Sequence, residues 1–124
     1  MAGKFVIKKT ATGTKFDLKA TNGQVIATSE VYKSEDACKK GIESVRTNAA
    51  DAGVEDQTVE NFETLKHPKF EVYEGKSGDY RFRLKARNGQ IIATSESYKT
   101  KVSCDNGVQS VKKNAPDAAV VVEE

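Results

Sequence analysis

Apolar and polar residues alternate with a period of two over Lys15-Phe16-Asp17-Leu18-Lys19-Ala20, and again over Arg81-Phe82-Arg83-Leu84-Lys85-Ala86. That period puts Phe, Leu and Ala on one face of a strand and the charges on the other, so both segments read as half-buried strands. Each follows a shorter strand, Phe5 to Lys8 and Phe70 to Tyr73, across a polar loop with glycine. Each runs into an Asn-Gly pair, Asn22-Gly23 and Asn88-Gly89, for which a type I′ hairpin turn with positive φ at both residues is expected. Third strands follow from Val25 to Thr28 and from Ile91 to Thr94.

The period then becomes helical. Cys38, Ile42 and Val45 form one apolar stripe and Cys104, Val108 and Val111 another. Ser34 and Thr100 are the expected N-caps, with Glu35 and Asp36 suited to the positive end of the first helix. Arg46, Lys112 and Lys113 fall where cations favour the other end. Asn48 and Asn114 are expected to end the helices in the left-handed conformation, and Pro116 blocks continuation of the second. Gly41 and Gly107 at mid-helix imply close approach of helix to sheet. Val54 and Val120-Val121-Val122 give each half a short last strand.

The order of three strands, a helix and a strand thus occurs twice. With an offset of 66, 21 of the 37 positions from Lys15 to Asp51 are identical in the second copy. One copy of this size would bury only about 60% of its unfolded surface, so two copies sharing a core are expected. The 124 residues read as a single domain, with repeat 1 at 4–58, a connector at 59–68 and repeat 2 at 69–124. The fold class is α+β, with both helices covering one face of the sheet and the other face open to water.

The repeated Asn-Gly-Gln, Ile-Ala-Thr-Ser-Glu, Tyr-Lys, Gly, Ser-Val and Asn-Ala elements resemble the YegP-like family of uncharacterised bacterial tandem-repeat proteins over nearly the whole chain. The resemblance implies one antiparallel sheet carrying two helices on one side, with the last strand of each repeat exchanged onto the other. It implies no activity.

Charged residues make up 31% and apolar residues 37% of the chain, as in a soluble folded protein. The net charge of +2 gives no general case for polyanion binding. The start Met1-Ala2-Gly3-Lys4-Phe5 lacks the apolar run of a signal peptide, and no segment is long and apolar enough for a membrane span, so a cytoplasmic address and no membrane partner are expected. Cys38 and Cys104 read as reduced core residues, not a disulfide.

Two features are candidates for binding. Arg81, Arg83, Lys85 and Arg87 alternate along one strand, so that four cations on one side form a candidate face for RNA, single-stranded DNA or another acidic partner. Glu71 and Tyr73 on the neighbouring strand are placed to offset that row, and the counterpart Lys15, Asp17, Lys19 and Thr21 is weaker. The loops Ser29-Glu30-Val31-Tyr32-Lys33 and Ser95-Glu96-Ser97-Tyr98-Lys99 join strand to helix and are candidate interaction loops. Turn and cap chemistry by itself also accounts for their residue types.

No catalytic, cofactor or metal site is assigned. His67 is the sole histidine and sits in the connector, and Gly75-Lys76-Ser77 lacks both the upstream glycine and the following helix of a phosphate loop. The expectation is a monomeric, non-enzymatic binding or accessory module whose partner is a protein more readily than a nucleic acid.

Overall fold

The computed structural model describes Gly3 to Glu123. Met1 and Ala2, part of the start read above for a leader, and Glu124, the end of repeat 2, lie outside the described residues. The elements are β1 (Lys4–Lys9), β2 (Thr14–Lys19), β3 (Val25–Thr28), α1 (Glu35–Asp51), β4 (Gly53–Asp56), β5 (Lys69–Glu74), β6 (Tyr80–Lys85), β7 (Ile91–Thr94), α2 (Lys101–Asn114), a 3₁₀ turn (Ala115–Asp117) and β8 (Ala119–Val122). One eight-stranded sheet runs in the order β4-β5-β6-β7-β3-β2-β1-β8. The two repeats meet at its centre through a single pair, Thr28 opposite Thr94.

The last strands are exchanged: β4 of repeat 1 pairs with β5 of repeat 2, and β8 of repeat 2 pairs with β1 of repeat 1. Both outer pairings are parallel, so the sheet is mixed and not wholly antiparallel as expected. A strand delivered by a hairpin must return antiparallel; β4 and β8 arrive by a helical crossover, which removes that constraint. Side chains hold the exchange. Arg46 of α1 donates to the Ala118 carbonyl at the entry to β8 and lies over the Phe5 ring at 5.5 Å, while Lys112 of α2 donates to the Ala52 carbonyl at the entry to β4 at 2.6 Å and lies over Phe70 at 5.8 Å. Both cations therefore serve the crossover ahead of the helix dipole.

The core lies between the sheet and the helices. Phe5, Phe16, Leu18, Phe70, Phe82 and Leu84 are fully buried there with Ile42, Val45, Val108 and Val111. Burying a side chain of this size contributes roughly 1.5–3 kcal/mol. Ser34 and Thr100 cap the helices as expected, each accepting from an amide three residues on at 3.1 Å.

Two local expectations are corrected. Among the described residues Asn61 is the one non-glycine with positive φ, so Asn22 and Asn88 do not form type I′ turns. Each asparagine instead accepts from the amide two residues on, at 3.0 Å, and only Gly23 and Gly89 take positive φ, beside a register shift in the flanking strands. A type I turn closed by a glycine bulge results. Asn48 and Asn114 do not terminate helices in the left-handed form. Both are buried and donate to the carbonyl four residues back, at 2.7 and 2.8 Å, and α1 continues to Asp51.

Candidate functional site

The eight loop residues singled out by sequence fall into two groups. Ser29 and Ser95 are structural: each hydroxyl accepts from the amide of a core phenylalanine, Phe16 or Phe82, at 2.9 Å and donates to the next carbonyl at 2.7 or 2.8 Å. Tyr32 and Tyr98 stack on the same phenylalanines at 6.3 Å. Their hydroxyls reach the helices, where a Cβ on Gly41 or Gly107 would lie 2.4 Å away. Those glycines thus make room for a tyrosine of the strand-to-helix loop, and Gly107 for Phe82 as well. Glu30, Glu96, Lys33 and Lys99 are exposed.

The outer face of the sheet, opposite the helices, carries the remaining candidates. Register places one row across all eight strands: Glu55, Glu71, Arg83, Thr94, Thr28, Asp17, Val6 and Val121. The duplication is imperfect along it. Where repeat 2 has a cation beside two glutamates, its counterpart has a carboxylate beside two valines.

In repeat 2 the cationic row is neutralised from within. Arg83 meets Glu71 at 2.6 Å and lies over the Tyr73 ring at 4.7 Å, Lys85 reaches Glu71 at 3.4 Å, and Arg81 meets Asp79 at 2.9 Å. Arg87 leaves the row: it lies beyond the end of β6 and pairs with Asp51 at the end of α1, at 3.2 Å. Lys69 bridges Glu55 at 2.7 Å and Glu71 at 3.3 Å, and all three are buried. Burial alone would raise the Glu55 carboxyl, but bonds from Lys69, Gln57 and the Leu65 amide hold it down at about 2. Glu71 is likewise lowered, burial being outweighed by Arg83, Lys69 and Lys85.

The connector contributes to this burial at Glu55. It folds against the outer face, so that face is not wholly open to water as expected: Leu65 donates its amide to Glu55 at 2.7 Å, and its Cδ1 lies 3.0 Å from where a Cβ on Gly53 would be. His67 rests near Gly89 in the same layer.

Repeat 1 differs. Lys4, Lys8, Lys15 and Lys19 share the outer face, and among the described residues Asp17 is the one carboxylate that forms an ion pair with any of them. Asp17 is buried and binds Lys8 at 3.2 Å, Lys15 at 3.5 Å and the Thr28 hydroxyl at 2.7 Å, which together bring its pKa below the usual value against the opposing effect of burial. Among the described residues Lys4 and Lys19 have no carboxylate within 4 Å. Sequence reasoning passed over Lys4 and Lys8, although their alternation with Phe5 and Ile7 already placed them on this side.

Among the described residues no helix is long and apolar enough to cross a membrane, and no cluster of three metal-ligating side chains occurs.

A duplicated α+β unit with exchanged edge strands and a charged outer face defines the class of protein. The chain belongs to the family described as Domain of unknown function (DUF1508), whose model matches twice, over residues 10–56 and 76–121. It is 40% identical to the UPF0339 protein PA0329 of Pseudomonas aeruginosa over 121 residues, covering 97% of this chain and 96% of that protein. A UPF0339 protein of Methanosarcina acetivorans is 61% identical over 56 residues, 45% of this chain and 97% of that protein, so it is about one repeat long. The solution structure of yegP from E. coli, described as a protein of unknown function, matches with a TM-score of 0.80 at 35% identity, covering 99% of this chain and 94% of that one. The YegP-like resemblance and the α+β tandem fold read from sequence are thereby established.

Proposed function

We propose that this protein is a cytoplasmic, monomeric, non-enzymatic binding module that contacts an acidic macromolecule through the outer face of its sheet, on the repeat 1 side. The supporting observation is the register of β1 and β2, which sets Lys4 against Lys19 and Lys8 against Lys15 with Asp17 alone between them. Like charges directly opposite each other across a ladder are destabilising, and an acidic partner offsets that cost. The tyrosines of the two loops support a non-enzymatic reading: burial raises the pKa of Tyr32 and Tyr98, away from what acid-base work near neutral pH requires. The alternative of RNA or single-stranded DNA along Arg81, Arg83, Lys85 and Arg87 is disfavoured by the carboxylate that each of those cations already holds.

Titration with polyglutamate across a salt series tests the reading. Binding weakens with salt, is lost in Lys4→Glu/Lys19→Glu, and persists in Arg81→Gln. Binding lost in Arg81→Gln but kept in the lysine variant contradicts it.

A further inference from the structure

The two repeats present the same groove twice, and one copy is filled. In repeat 2 the groove lies where β4 and β5 begin, beside the turn after β6. The connector passes over it with Leu65 against Gly53 and His67 near Gly89. Beneath, Lys69 is 4% exposed and is held between Glu55 and Glu71.

Sheet register and the repeat offset give the counterparts. Gly53 pairs with Lys69 as Ala119 pairs with Lys4, and Glu55 occupies the place of Val121. Ala86 and Gly89 correspond to Ala20 and Gly23. Lys4, Ala20, Gly23, Ala119 and Val121, together with Gly3, line an open groove of about 390 Å³. Lys4 is exposed and Val121 is 41% exposed. The floor of the site is therefore retained, and what covers it in repeat 2 has no described equivalent.

The differences between the copies indicate the missing chemistry. Lysine is kept at position 4 and joined by Lys19, opposite it in the ladder. Both glutamates that neutralise Lys69 are gone, with Val121 and Val6 in their places. The open copy thus retains the cationic and apolar parts of the filled one and lacks the anionic part.

We infer that this groove receives an extended segment of a partner protein, carrying an aliphatic side chain flanked by carboxylates. The aliphatic group seats against Ala119 and Val121, as Leu65 seats on Gly53, and the carboxylates take Lys4 and Lys19. A nucleic acid fits less well, because the walls are Ala20, Ala119 and Val121 and offer no ring on which a base can stack. The inference rests on the binding-module reading above and specifies its site and ligand.

The test is an NMR titration of the full chain with a peptide of the connector sequence, Val59 to Pro68, carrying Lys66→Glu so that carboxylates stand on both sides of its leucine. Saturable shifts are expected at the amides of Gly3, Lys4, Ala20, Gly23, Ala119 and Val121. Affinity falls about tenfold or more in Lys4→Glu/Lys19→Glu, as for removal of paired charges at an interface, and a Leu65→Ser version of the peptide loses binding. Retention of full affinity by that peptide overturns the inference, as do stronger shifts of the same amides by a uridine 12-mer. Shifts confined to the outer face away from the groove overturn it while leaving the binding-module reading intact. Silence toward both this peptide and polyglutamate removes both.

Discussion

Lys4 and Lys19 stand directly opposite each other on neighbouring antiparallel strands, with no carboxylate within 4 Å of either among the described residues. Their counterparts Lys69 and Lys85 also face each other, but share Glu71. The same substitution therefore has opposite effects in the two repeats. Lys19→Glu is expected to stabilise the fold by about 0.2–1 kcal/mol, the range for cross-strand pairs. Lys85→Glu places a carboxylate beside Glu71 and is expected to destabilise. Urea midpoints of the two variants check the difference in sign.

The buried group of Glu55, Lys69 and Glu71 makes stability depend on acid. The native carboxyl of Glu55 lies at about 2, below its ordinary value of 4.5. A lowered native pKa contributes stability in full above the unfolded value, and that contribution is lost as pH falls from about 4.5 through 2. Glu71 and Asp17 shift in the same direction. Urea midpoints measured downward from pH 7 are expected to hold until about pH 5 and then drop. Lys69→Met leaves two buried carboxylates without their shared cation, which costs roughly 3–5 kcal/mol at pH 7. Its loss relative to the parent shrinks on acidification, as protonation removes the unpaired charge.

Gly41→Ala tests how the loops meet the helices. Alanine gains about 1 kcal/mol of helix propensity over glycine, yet its Cβ would lie 2.4 Å from the Tyr32 hydroxyl oxygen. The clash is expected to prevail, with a net loss of about 1–3 kcal/mol, typical of overpacking. Tyr32→Phe in the same chain restores part of the loss. Gly107→Ala is restored less by Tyr98→Phe, because the Phe82 ring also lies 2.9 Å from the new Cβ.

Cys38 and Cys104 are free, fully buried, and pushed up to about 11 by burial. The thiolate is the reactive form, so both are expected to resist a disulfide reagent at pH 8 in the native protein and to react together in denaturant. Rapid native labelling of either contradicts the packing described.

Much of this fold was legible because its strands alternate strictly: Phe16, Leu18, Phe82 and Leu84 lie in the core as their period requires. Caps at Ser34 and Thr100 were legible because a hydroxyl three residues before a free amide is a local matter. The direction of β4 and β8 was not, since it depends on a crossover and on pairing with the other repeat. The candidate face was half legible. Arg83 and its partner Glu71 sit on adjacent strands and were foreseen together, whereas Asp51 beside Arg87 and Glu55 beside Lys69 are brought in by a helix end and an exchanged strand. The asparagine turns misled because Asn22 and Asn88 satisfy the next amide through their side chains, leaving positive φ to glycine alone.

Two equivalent positions stand in contrast: Lys69 is buried beside the connector, and Lys4 is exposed in the open copy of the groove. Competitive acylation of the native protein, read residue by residue by mass spectrometry, measures that contrast directly. Lys4 is expected to react as a free surface lysine, and Lys69 only as fast as the structure opens. Equal rates at the two positions contradict the account.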